Sequence, residues 1–349
     1  MKSYYYQRCY KVIHLEMAKL ELTQRCNSRC KTCSTWRIQD TTTLSKRGEM
    51  NDELVYEDYE RMIGELKTLG CKYVELHGGE PTLFKELPAV ARKCFNSGIP
   101  TMITTNGLSM TGDIARRLID SGISRINYSL DGPRECHNFL RGREDAFDKL
   151  MAAMRMIREA DQKKRVLKTI ITMVSSRNIN RIEEVLEIAA ENGIDMVIYA
   201  HPGIIDEEIV KKVNEIFGEA VGSYRIVCPE RFLITNLSLI DEKRNIIKRD
   251  ARKLGIRVDR TNFFTLPPGE ISKGIKRQAK PCWNIYTNIV VDAGGNVFPC
   301  ELLRFHLGNV KESSLIEILQ SELFERFTKI YSQNIENMEI CNYCVEAVY

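Results

Sequence analysis

The sequence predicts an α/β protein: a partial (β/α)6 TIM-like barrel followed by a small C-terminal module of one hairpin and a helix. Three observations predict it. Strand-like runs alternate with amphipathic helix-like runs six times between residue 16 and about residue 200, at the roughly 30-residue repeat of parallel βαβ units. Polar and glycine-rich stretches recur where those strands end, which is where α/β folds build their active sites. Seven of the 12 cysteines fall into two clusters, Cys26/Cys30/Cys33 and Cys282/Cys300/Cys341/Cys344. In a reducing compartment such clustering points to metal rather than to disulfides.

The elements follow in order. EMAKLEL (16–22) is the first strand. NDELVYEDYERMIGELKTLG (51–70) is an amphipathic helix with Asn51 as N-cap candidate and Gly70 as its stop. CKYVELH (71–77) is a strand, LFKELPAVARKCFNSG (83–98) a helix despite Pro88, and PTMITTNG (100–107) a strand ending in a turn. TGDIARRLIDSG (111–122) is a helix, ISRINYSLDGP (123–133) a strand and turn, and REDAFDKLMAAMRMIREADQ (143–162) a long helix. VLKTIITMV (166–174), INRIEEVLEIAAENG (179–193) and IDMVIYAHPG (194–203) complete the series as strand, helix and strand. Right-handed crossovers curl such a sheet, and six units fall short of the eight of a closed barrel. Residues 206–280 are charged, with helix-like runs at 206–220 and 241–254. The expected division is a barrel core over 1–205, a helical, charged extension over 206–280 and the cysteine-bearing module over 281–349.

Composition bounds the function classes. The chain has 349 residues, 43% hydrophobic and 28% charged, with a net charge of +4. That is ordinary globular composition with a mixed surface, and it does not argue for nucleic acid. The run EKRNIIKRDARK reads as a solvated helix face, with nucleic-acid binding a weaker second reading. The amino terminus lacks the apolar core of a secretory signal, and no window reaches the length of a membrane span. The expectation is a cytoplasmic protein without membrane or nucleic-acid partners.

Cys26 directly follows the first strand, and Cys30 and Cys33 share its loop, TQRCNSRCKTCSTW. Three thiolates hold three corners of a four-iron cubane and leave one iron open, as a catalytic zinc keeps one position open. A zinc site with a distant fourth ligand is the alternative. CxxxCxxC after the first strand, with GGE about 45 residues later after the second, resembles the radical S-adenosylmethionine (SAM) superfamily. The resemblance spans essentially the whole chain. It implies a [4Fe–4S] cluster on Cys26, Cys30 and Cys33 whose open iron is chelated by SAM. It also implies reductive cleavage to a 5′-deoxyadenosyl radical that abstracts hydrogen, and an external electron donor such as flavodoxin or ferredoxin. Such chemistry needs a cluster at roughly −400 to −700 mV. By the same resemblance, Gly78, Gly79 and Glu80 hold the SAM amino group, and Ser129 and Asp131 occupy the ribose-contacting strand end. Thr104, Thr105 and Asn106 stand at the neighbouring strand end, and Val174 is placed near the adenine. Thr32 departs from the family's bulky residue before the third cysteine, so adenine stacking cannot come from that side chain; Trp36 is nearby.

CWNIYTNIVVDAGGNVFPC reads as a β-hairpin with a Gly294–Gly295 turn that brings Cys282 and Cys300 together. A helical stretch and CNYC (341–344) follow, giving four thiols, a closed set that an iron–sulfur cluster or zinc would accept. The pattern resembles the SPASM and twitch modules of radical SAM proteins, which implies one auxiliary [4Fe–4S] cluster on Cys282, Cys300, Cys341 and Cys344. A fully ligated cluster accepts or relays an electron more readily than it binds substrate, which favours an oxidative outcome.

These readings converge on an enzyme that abstracts hydrogen from a small molecule, such as a sugar, cofactor precursor or natural-product intermediate. Maturation of a peptide substrate is the alternative, and a non-catalytic iron–sulfur carrier a remote one. About 15 residues precede the first strand, whereas peptide maturases often carry a leader-binding domain there; the expectation leans slightly away from peptides, although such a domain can be a separate protein. Cys228 and Cys136 are candidate hydrogen-atom donors, and His201, after the sixth strand, is a candidate base.

Overall fold

The computed structural model describes residues 14–33, 53–201, 207–219, 221, 232–259, 262–272 and 282–343. Six strands, β1 (Met17–Thr23), β2 (Tyr73–Gly78), β3 (Thr101–Thr105), β4 (Arg125–Ser129), β5 (Leu167–Met173) and β6 (Met196–Ala200), lie in sequence order. Each pairs parallel with the next. A two-residue β7 (Arg257–Val258) extends the edge beyond β6. On the other edge β8 (Asn288–Val291) pairs parallel with β1, followed by antiparallel β9 (Asn296–Phe298) and β10 (Gly308–Asn309). The result is one ten-stranded sheet in the order β10-β9-β8-β1-β2-β3-β4-β5-β6-β7, curved but not closed among the described residues. The expected hairpin is present, and it continues the barrel sheet.

Helices α1 (Tyr56–Thr68), α2 (Leu87–Asn96), α3 (Gly112–Asp120), α4 (Arg134–Arg141), α5 (Ala146–Ala160) and α6 (Glu184–Glu191) make the crossovers. Pro88 falls in the first turn of α2, where the missing amide costs little. Asn51 lies outside the described residues; α1 begins at Tyr56, and Asp58 accepts from the Val55 amide (3.1 Å). The charged extension supplies α7 (Glu207–Phe217) and α8 (Leu237–Leu254). After the hairpin come α9 (Leu315–Leu319) and α10 (Glu322–Gln333). No helix among the described residues is long and apolar enough to cross a membrane. Helix α4 is absent from the sequence reading. It is only eight residues long and buries His137 and Leu140, too short a run to repeat an apolar face.

Strand alternation sets the two faces. In β1, Ala18, Leu20 and Leu22 are fully buried beneath the helices, while Lys19, Glu21 and Thr23 share the opposite, lumenal face. In β2, Val74 and Leu76 are buried, and Glu75 and His77 point the other way. The barrel interior is therefore polar on its β1–β2 side.

One buried ion pair fixes the turn from α5 to β5. Lys168 Nζ donates to Asp161 Oδ2 (2.9 Å), and the amides of Arg165 and Val166 donate to the same carboxylate (2.9 and 3.2 Å). Burial opposes ionisation of Asp161, but these donors outweigh it and lower its pKa. A carboxylate with a lowered folded pKa stabilises the fold above its unfolded value of about 3.9, and that contribution fades as pH falls through the folded value. Asp161→Asn is expected to cost about 3 kcal/mol at neutral pH by urea unfolding, because it leaves Lys168 buried and unpaired. The difference from the parent should shrink below about pH 4.

Candidate active site

The cysteine loop leaves β1 at Thr23 and is held from two sides. From β2, the Gly79 amide donates to Thr23 O (2.7 Å) and the Glu80 amide to Arg25 O (2.9 Å). A Cβ on Gly78 would stand 2.4 Å from Thr23 O, and one on Gly79 would stand 2.3 Å from Arg25 O. Both glycines are required because the cysteine loop itself lies against them.

Glu80 is almost fully buried and gathers the neighbouring strand ends. Its Oε1 accepts from Thr82 N (3.2 Å), Thr82 Oγ1 (2.6 Å) and Thr105 Oγ1 (2.6 Å), and its Oε2 accepts from Asn106 N (2.8 Å). Asn106 Nδ2 in turn donates to Asn27 Oδ1 (2.9 Å), inside the cysteine loop, and lies 4.0 Å from Cys26 Sγ. Glu80, Thr105, Asn106 and the loop thus form one connected unit. Thr104 faces the lumen, donating to Glu75 Oε1 (3.2 Å) and accepting from Asn127 Nδ2 (3.1 Å).

The second grip comes from α4. Leu140 O accepts from Lys31 N (2.7 Å), and Arg141 O accepts from Ser28 Oγ (2.8 Å). Arg141 Nη1 donates to Cys30 Sγ (3.8 Å), and its Nε sits 2.8 Å from Asp131 Oδ2. Burial disfavours the Arg141 charge, but Asp131 and Cys30 outweigh it and raise its pKa. The other Asp131 oxygen accepts from Met173 N (3.1 Å), and its amide donates to His137 Nδ1 (3.2 Å). Burial and the Arg141 charge push His137 down to about 2, so its ring is neutral with the proton on Nε2. Asn178 Nδ2 donates to both Asp131 O and Met173 O (2.8 Å each). Arg141, His137 and Asn178 escaped the sequence reading. The signal that could have found them is the polar density of RECHNFLR immediately after the LDG turn.

The remaining candidates are dispersed. Ser129 is half-buried at the end of β4, on the lumenal face it shares with Asn127. Val174 is buried, its amide donating to Ala200 O (2.7 Å). Cys136 Sγ donates to Arg177 O (3.6 Å) on α4, with its pKa raised by burial. His201 is fully buried at the end of β6, not an open rim residue. Cys228, Trp36 and Cys344 lie outside the described residues.

The second cluster converges on Tyr331 of α10. Its hydroxyl accepts from Cys282 N (3.3 Å) and is hydrogen-bonded to the Cys341 thiol. Burial, with Cys300 and Cys282 close by, raises the Cys341 thiol, and burial pushes Cys300 up to about 11. Burial likewise pushes Cys26 up to about 11, against the Ser28 amide and with Cys30, Glu80 and Cys33 adding to it. Buried thiols of this kind ionise when metal neutralises them. Among the described residues no three His, Cys, Asp or Glu side chains converge closely enough for a single metal ion. A cubane spreads its thiolates over four irons, and the donor set of each loop, thiols with N–H groups aimed at sulfur, fits that group.

Residues 20–189 match the radical SAM superfamily. The chain belongs to that superfamily. Residues 282–345 of this radical SAM protein match SPASM, an iron–sulfur cluster-binding domain. It is 26% identical over 310 residues to the AdoMet-dependent heme synthase of Methanosarcina barkeri, covering 88% of this chain and 82% of that one. It is 23% identical over 316 residues to the PqqA peptide cyclase of Bradyrhizobium diazoefficiens, covering 88% and 74%. Its fold is similar to that of Streptococcus suis SuiB bound to S-adenosylmethionine, with a TM-score of 0.66 at 16% identity, covering 95% of this chain and 72% of that one. The protein is an enzyme, so the non-catalytic carrier is set aside. Its radical SAM domain implies a [4Fe–4S] cluster with SAM, and its SPASM domain implies auxiliary iron–sulfur binding.

Proposed function

We propose that this radical SAM enzyme removes hydrogen from a small-molecule cofactor precursor to give an oxidised product, for which a fully ligated auxiliary cluster would supply the electron acceptor. The observation that carries the small-molecule reading is the match to a heme synthase over 88% of the chain. When bound, the open cluster and SAM supply carbon–sulfur cleavage and a radical able to take a hydrogen atom.

The chain's own residues do the holding. Cys26, Cys30 and Cys33 bind the open cluster, with Arg141 and Asn106 directing N–H groups toward its thiolates. Among the described residues, Glu80 Oε2 accepts one protein hydrogen bond against three at Oε1, which leaves it acceptor capacity for the SAM ammonium. Ser129 stands where the ribose is expected, and Asp131 holds Arg141 in place. Cys282, Cys300 and Cys341, with Cys344, bind one auxiliary [4Fe–4S] cluster. A low-potential flavodoxin or ferredoxin supplies the electron.

The match to a peptide cyclase favours peptide maturation as the second reading. The test is to reduce the reconstituted enzyme with SAM and add either a tetrapyrrole carboxylic acid or a short peptide library. Tetrapyrrole-stimulated 5′-deoxyadenosine release is expected. Stimulation by peptide alone would overturn the small-molecule reading.

A further inference from the structure

Two ion pairs join the loop after Cys300 to β1. Lys19 Nζ lies 2.6 Å from Glu301 Oε2 and 3.4 Å from Glu75 Oε2. Arg304 Nη2 pairs with Glu21 Oε1. The partners stand 282 and 283 residues apart in sequence, so each pair ties one end of the fold to the other. Side-chain exposure is 8% for Lys19, 5% for Glu21 and 13% for Arg304, so these charges are largely out of water. Lys19 and Glu21 are two apart on β1, which puts them on one lumenal face.

The sheet alone does not place this loop. The β1–β8 ladder covers Asn288–Val291, and β9, ending at Phe298, pairs only with β8 and β10. Cys300 to Phe305 lie beyond it, with one backbone bridge at Arg304. Leu303 and Phe305 anchor the loop on its apolar side, where Phe305 packs 5.2 Å from the rings of both Phe217 and Phe327. The lumenal side is held by charge. A buried ion pair contributes little net stability after desolvation, and fixing one arrangement among several is its better-attested use. Here the arrangement fixed is that of Cys300 relative to the strand that runs into Cys26.

We propose that Glu301 and Arg304 are positioning residues: they clasp the Cys300 loop onto Lys19 and Glu21 and so set where the auxiliary cluster sits against the barrel. This rests on Cys300 being an auxiliary-cluster ligand.

The experiment uses the full chain carrying Cys26→Ala, Cys30→Ala and Cys33→Ala, so that only auxiliary iron remains. Iron content, the electron paramagnetic resonance spectrum of the reduced cluster and the rate of iron extraction by a ferrous chelator are measured. Glu301→Gln, which leaves Lys19 the longer contact to Glu75 in place of the 2.6 Å pair, and Arg304→Gln, which removes the cation facing buried Glu21, are each expected to speed extraction about tenfold and to shift the spectrum. The double variant Glu21→Gln/Arg304→Met, which removes both charges of that pair, should extract at close to the parent rate. Should Arg304→Gln fail to fold, Arg304→Lys is read in its place, with faster extraction again expected because a point charge replaces the planar fork. Parent-like extraction and spectra in folded Glu301→Gln and Arg304 variants would overturn the clasp. A triple-alanine parent that holds no iron would instead overturn the assignment of Cys300.

Discussion

Cys30→Ala is expected to lower 5′-deoxyadenosine formation from SAM by on the order of a thousandfold or more, while the protein keeps its auxiliary iron. Cys30 is a loop thiol with a charged donor on its sulfur. Arg141 donates to its sulfur, and Ser28 Oγ lies 3.2 Å from it. Removing it leaves two thiols on the loop, too few to hold a cubane at three corners. The charged Arg141 then loses one of the two groups that justify its burial, Asp131 remaining as the other. Iron analysis of anaerobically reconstituted protein, paired with product chromatography, checks both halves of the expectation. Undiminished cleavage would remove Cys26, Cys30 and Cys33 as the reaction centre. Arg141→Met, which keeps all three thiols, should fall less, by about 10- to 100-fold, the usual range for groups that support metal ligands.

The contrast between Cys30 and Arg141 also shows what a sequence can disclose. The cysteines are legible because three soft donors at short spacing have few structural uses, and strand–helix alternation places them at a strand end. The barrel is legible for a related reason: strand-like and helix-like runs alternate along residues 16–200, so local pattern and final position agree. Arg141 is different. It sits 111 residues from Cys30 in the chain, on a helix of only eight residues. Its role depends on Asp131, His137 and Asn178 being folded around it, which no local period encodes. The same holds for the hairpin. Its turn is written in the Gly294–Gly295 pair, but its parallel pairing with β1 is a tertiary fact. Gly78 and Gly79 were legible as a pair with a purpose. Their neighbour was not, since what crowds them is the backbone of a loop more than 50 residues earlier.

That crowding makes Gly79→Ala the second large effect. The added Cβ would meet Arg25 O at 2.3 Å and Gln24 O and Arg25 C at 2.7 Å, all backbone atoms. No flexible side chain can yield, so the cysteine loop must move outward. Doing so breaks the hydrogen bonds from the Gly79 amide to Thr23 O and from the Glu80 amide to Arg25 O. It also draws Asn27 away from Asn106, uncoupling the thiols from the Glu80 unit. Strain of this kind typically costs about 1–3 kcal/mol, which a core of this size can absorb. Cluster assembly cannot absorb it, because three thiols must reach one cluster together. Gly79→Ala should therefore fold, with a melting temperature lowered by a few degrees, yet incorporate little iron beyond the auxiliary share and release 5′-deoxyadenosine at least about a hundredfold more slowly. Gly64→Ala is the matched control: nothing lies within 4 Å of its Cβ position, in the middle of α1. It should raise stability by about 0.5–1 kcal/mol and leave iron content unchanged. Full iron loading and parent-like cleavage in Gly79→Ala would mean that the cysteine loop does not need its contact with β2, and that the two glycines serve something other than this packing.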